Sequence, residues 1–176
     1  PSALSEALGV LEAAGILARR GAAEYAFVHD VVADVLREAL PLEARKELHA
    51  SVASALEELQ GARVDEIAEQ LAEHYRKAGN RVRAVEFLVR AANRLESEEA
   101  FDGARASLER AVDLSAQAAM PDREKLLDLH WRLGDLSLRT RSLERGAERL
   151  ASAIELAEGL GREDYVARFS MMRGRL

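Results

Sequence analysis

Apolar side chains along this chain recur at spacings of three and four, as in helices that bury one face. The clearest stripe is Val64, Ile67, Ala68, Leu71, Ala72, Tyr75 and Ala78, which predicts a helix over 64–78 closed by Gly79-Asn80. Upstream, Leu4, Leu8 and Leu11 predict a helix over 2–14, with Ser2 as N-cap and Gly15 as stop. Segments 16–20 and 24–28 are short runs around Gly21-Ala22-Ala23 and read as a β-hairpin. A helix over 31–40 then follows His29-Asp30 and ends at Pro41. From 42 onward every segment reads as helix: 42–60, with Leu48, Val52, Ala55, Leu56 and Leu59 inward and Gly61 as terminator, then 82–99, 102–118, 122–139, 143–158 and 163 to the end. The breaks at Ala100-Phe101, Met120-Pro121, 140–142 and 159–161 are short, which forces successive helices to pack antiparallel.

One pattern repeats. Ala104, Leu108 and Ala111 return 42 residues later as Gly146, Leu150 and Ala153, and in the preceding helices Ala92 returns as Gly134 at the same offset. Small side chains at fixed offsets let neighbouring helices approach, and the leucines between them fill the groove. On these residues the chain resembles the tetratricopeptide family, whose first helix carries Leu-Gly (here Leu133-Gly134) and whose second carries small–large–small (here Gly146, Leu150, Ala153). An earlier copy has Ala91-Ala92 and then Ala104, Leu108, Ala111; a second phase, Leu71-Ala72 with Tyr75 and then Ala84, Leu88, Ala91, fits too. The period is longer than the family's usual ~34 residues, and Ser137 stands where the family has tyrosine. The resemblance implies an all-α solenoid of antiparallel helix pairs over 42–176. It also implies a concave groove lined by Glu86, Val89, Asn93 and Glu96 on one helix and Asp128, Trp131 and Asp135 on another. The alternative for Trp131 is packing between helices.

The start of the chain is similar to something else. Residues 11–17 (Leu-Glu-Ala-Ala-Gly-Ile-Leu), Arg19-Arg20-Gly21, Phe27-Val28-His29-Asp30 and Leu48-His49 with Val52-Ala53 resemble the end of the winged-helix module in bacterial STAND-type signalling ATPases. In that family a helical repeat array follows the winged helix. The resemblance implies a partial winged-helix-like module over 1–41 and a regulatory arm of a larger signalling ATPase or transcriptional regulator. It implies a partner that is a protein segment or a small effector.

Composition narrows the chemistry. A net charge of −6 opposes general nucleic-acid binding, which needs a basic face to displace counterions. The rival reading, a DNA-binding winged-helix transcription factor domain, rests on Arg19 and Arg20, yet residues 1–41 hold three basic side chains against six acidic ones. Zero cysteines exclude disulfides, thiolate zinc sites and a cysteine nucleophile. No apolar run nears the roughly 20 residues of a membrane span, and no basic-then-apolar leader opens the chain. A cytoplasmic location is therefore expected, and the initial proline suggests a fragment. No phosphate loop, HExxH or GxSxG is present, so neither cofactor nor catalysis is expected of this segment. His29, His49, His74 and His130 are isolated along the chain, so no helix offers a metal pair. His29-Asp30 has the composition of a proton-transfer pair, but adjacent side chains diverge at a helix start, and Asp30 suits the positive end of a helix.

Overall fold

A computed structural model describes residues 3–22, 24–118 and 121–175. Ser2, Ala23 and Met120, which carry expectations above, lie outside the described residues. The chain is mostly helical, in this order: α1 (Ala3–Ala13), β1 (Leu17–Arg19), β2 (Tyr25–Phe27), α2 (Asp30–Ala39), α3 (Leu42–Gln60), a 3-10 segment (Gly61–Ile67), α4 (Ala68–Lys77), α5 (Arg81–Ser97), α6 (Phe101–Ala116), α7 (Arg123–Arg139), α8 (Leu143–Gly159) and α9 (Glu163–Arg173). None of the described helices is long and apolar enough to cross a membrane. Contacts divide the chain into two compact units, Pro1–Arg45 and Lys46–Leu176.

In the first unit, β1 and β2 pair antiparallel with Leu17 opposite Phe27, Ala18 opposite Ala26 and Arg19 opposite Tyr25. The Arg19 guanidinium donates to the Tyr25 hydroxyl at 2.6 Å and lies over its ring. Little is buried here. Ala33 is the one buried apolar residue among those described, while Leu4, Val10, Val31 and Val35 are exposed.

The second unit holds the core. Phe87, Leu71, Leu88, Leu108, Leu127, Leu133, Leu136, Leu150 and Phe169 are almost wholly buried, each contributing roughly 1.5–3 kcal/mol on leaving water. From α4 on, each helix packs against the next. Polar contacts also join alternate helices. Along one row, Ser107 of α6 donates to Glu69 of α4 at 3.3 Å, Arg110 of α6 reaches Glu73 of α4 at 3.5 Å, and Arg149 of α8 pairs with Asp113 of α6 at 3.0 Å. Along the other, Arg83 of α5 pairs with Glu57 of α3, Arg132 of α7 with Glu96 of α5, and Tyr165 of α9 with Asp128 of α7.

The spacing seen in sequence has a counterpart in the elements. Helices α5 and α7 begin and end 42 residues apart, and α6 and α8 begin 42 apart. Asn80 and Asp122, at the same offset, cap α5 and α7 by accepting from the backbone N–H groups of Arg83 and Lys125, each at 3.1 Å. Buried positions correspond as well: Ala84 with Leu126, Phe87 with Leu129, Leu88 with His130, Leu108 with Leu150, Ala111 with Ala153. The small residue at 134 lets α7 approach closely, since a Cβ there would meet the Met172 sulfur and stand 3.1 Å from Leu150, and both side chains would have to shift.

Two expectations need correction. Residues 61–67 form a 3-10 helix, not part of an α-helix over 64–78. Gly61, at φ +50, turns the chain out of α3, and the tighter coil still buries Val64. Helix α3 is also rotated from the face expected of it. Leu48, Val52 and Leu59 are exposed at 52%, 41% and 79%, while Ala53 is fully buried and Leu56 packs partly against the core. The small Ala53 and the polar anchor Glu57 decide that rotation.

Candidate functional site

All seven residues singled out by the repeat register lie on α5 and α7. Because the two helices start from equivalent caps, Glu86 and Asp128, Val89 and Trp131, and Asn93 and Asp135 occupy matching positions, one helix turn apart along each helix.

Glu86 accepts from Arg83 at 2.8 Å, and Arg83 also holds Glu57, which takes the Tyr75 hydroxyl. Partial burial pushes the Glu57 carboxyl up, but the hydrogen bonds from Tyr75 and Arg83 outweigh it and hold the group below the usual carboxylate range. The Arg83 and Arg90 guanidinium groups lie 4.9 and 5.1 Å from the centre of the buried Phe87 ring, which itself stacks on Tyr75. Val89 is half-buried against the core. Asn93 and Glu96 both accept from Arg132 of α7, at 2.7 and 2.5 Å. Asp128 accepts from the Tyr165 hydroxyl on α9, a bond that, with burial, raises the tyrosine's pKa.

Trp131 is half-buried with its ring 6.3 Å from Phe169, and the Arg168 guanidinium stands 5.8 Å from its ring centre. It therefore packs between α7 and α9 while keeping some exposed surface. Asp135 pairs within its own helix, with Arg139 at 2.9 Å. Asn93 and Glu96 are thus joined to α7 through Arg132, while Asp128 and Trp131 meet α9 through Tyr165, Phe169 and Arg168. Glu86 belongs to the network at α3 and α4, and Asp135 makes its ion pair inside α7.

The basic partners went unread in the sequence: Arg83, Arg90, Arg132 and Arg168. A signal existed, since Arg90 and Arg132 are 42 apart. Each reaches back past the element before it, Arg90 to Asp65 of the 3-10 segment at 2.5 Å and Arg132 to Glu96 of α5. The exposed Arg90–Asp65 pair is weak, whereas the Arg132–Glu96 pair is half-buried. Separate from these seven residues, a hollow of about 220 Å³ between α5, α6 and α7 has Val82, Val85 and Leu114 among its lining, together with Arg81 and Lys125.

His130 is buried where α5 has Leu88, and its Nδ1 has no hydrogen-bond partner among the described residues. Burial pushes its pKa down to about 4, with Arg149 adding to the effect. At neutral pH it is an uncharged core side chain. His29 is exposed at the N-cap of α2, its side chain making no capping bond, and Asp30 opens the helix. Among the described residues, no group of three or more His, Asp or Glu side chains is placed to hold a metal ion. No family model matches the chain, and no curated protein shows significant similarity to it.

Proposed function

We propose that this chain is a non-catalytic interaction and sensing scaffold. In this reading, residues 42–176 form a tetratricopeptide-like solenoid of antiparallel helix pairs. The face shared by α5, α7 and α9 binds a protein segment or a small effector. The observation that carries the reading is the recurrence, at an offset of 42 residues, of the side-chain caps and bounds of α5 in α7, of the start of α6 in α8, and of several buried positions, combined with polar contacts that join alternate helices in two rows. Units stacked in this way present a row of side chains along each layer, suited to an extended ligand. The Asn93–Arg132–Glu96 cluster supplies polar contacts and Trp131 a partly exposed aromatic surface.

By resemblance, the chain is the regulatory arm of a larger bacterial signalling ATPase or transcriptional regulator in the cytoplasm. Ligand binding would bias an attached switch, provided the ligand prefers one of its states. The test is selection of peptides from a random library on the purified chain, followed by titration on Arg132→Ala and Trp131→Ala variants. Selected peptides are expected to bind at least tenfold more weakly to both. Affinities unchanged in both variants, or a library without binders, would refute the groove.

A further inference from the structure

Between α3 and α4, the imidazoles of His49 and His74, 25 positions apart in sequence, turn toward each other. Their Nδ1 atoms are 3.2 Å apart, their ring centroids 5.2 Å apart, and their planes meet at 63°. One neutral ring donating to the other satisfies this contact. The geometry suits a second arrangement equally well. Two imidazole nitrogens bound to one tetrahedral ion at about 2.0–2.1 Å stand about 3.3 Å apart. A centroid separation of 5.2 Å is compatible with both arrangements.

We propose that His49 and His74 form a bidentate site for a divalent transition-metal ion that favours imidazole, such as zinc or nickel, with water completing its shell. Imidazole is a common ligand for both ions. Lys77 opposes a cation at this place, and Glu73, beside His74, offsets it in part. Binding has a structural consequence, because α3 meets α4 and α5 chiefly through side chains: His49, Ala53, Leu56 and Glu57. An ion held by both rings would clip α3 to α4. The inference is independent of the groove described above.

The experiment titrates the full chain with zinc and with nickel by calorimetry, records thermal unfolding with and without metal, and repeats both on His49→Gln, His74→Gln and His29→Gln. One ion per chain is expected, with a dissociation constant on the order of 10–100 µM, weaker than a four-ligand structural site. Affinity should fall at least tenfold in either His49→Gln or His74→Gln and be unchanged in His29→Gln. Zinc should raise the unfolding temperature only where both rings are present. Nickel should broaden the imidazole NMR signals of His49 and His74 in the unaltered chain before those of His29, a readout that needs no variant to fold. Absence of binding at about 1 mM metal, affinity retained in both ring variants, or broadening centred elsewhere would overturn the assignment.

Discussion

His130 shows what a single position does in this molecule. Its counterpart on α5 is Leu88, wholly buried, so the recurring pattern contains its own control for replacing an apolar side chain with an ionisable one. Folding lowers the imidazole pKa from 6.5 to about 4. The unfolded chain therefore binds more protons between these values, and stability falls as pH drops through that window. The loss amounts to about 3 kcal/mol by pH 4. Urea unfolding of His130→Leu should lack this component, showing a fall between pH 7 and pH 4 smaller by about that amount. The Glu73 carboxyl, held at about 2 first by its hydrogen bond from Arg76, also loses stabilisation as pH falls past its unfolded value of 4.5, but equally in both chains, so it cancels in the comparison. The burial was not visible in the sequence, because a lone histidine among leucines reads equally well as half-exposed.

Helix endings are the most regular feature among the elements. After α1, α4, α5, α7 and α8 the chain stops in the same way. A residue with positive φ bonds to the carbonyl three back, and its successor bonds to the carbonyl five back, as Asn80 to Tyr75 and Ser142 to Ser137. Glycine fills this position at 15, 79 and 161, but Glu99 and Arg141 fill it at φ 58 and 53. A side chain there carries a steric cost that glycine avoids. Glu99→Gly and Arg141→Gly should each raise stability by about 1 kcal/mol, read as a higher urea midpoint with an unchanged slope; a lower midpoint would contradict the motif. The glycine stops were legible from sequence. The stops at 99 and 141 were legible only as breaks in pattern, because nothing in glutamate or arginine announces a left-handed residue.

The chain as a whole is unevenly built. Lys46–Leu176 contains nearly all the buried side chains, whereas Pro1–Arg45 has Ala33 alone among its described residues. A unit that buries so little apolar surface has little to set against its chain entropy. Hydrogen exchange should therefore find the amides of α1, the hairpin and α2 exchanging at least about tenfold faster than those of α5 to α8. Comparable protection in the two units would contradict this. The same imbalance bears on the proposed groove, which draws its rigidity from the second unit: Phe87, Leu133 and Phe169 are packed beneath the residues that would meet a ligand.

Helix content, the hairpin, most element boundaries and the 42-residue spacing were legible in the amino-acid order, because side-chain periodicity and backbone-breaking residues act over one or two turns. Which way α3 faces, the 3-10 coil after it, the arginine bridges between alternate helices, the burial of His130 and the meeting of His49 with His74 depended on the folded arrangement. Each is a choice between surfaces that are locally equivalent. Only packing against elements distant in the chain makes one of them lower in free energy.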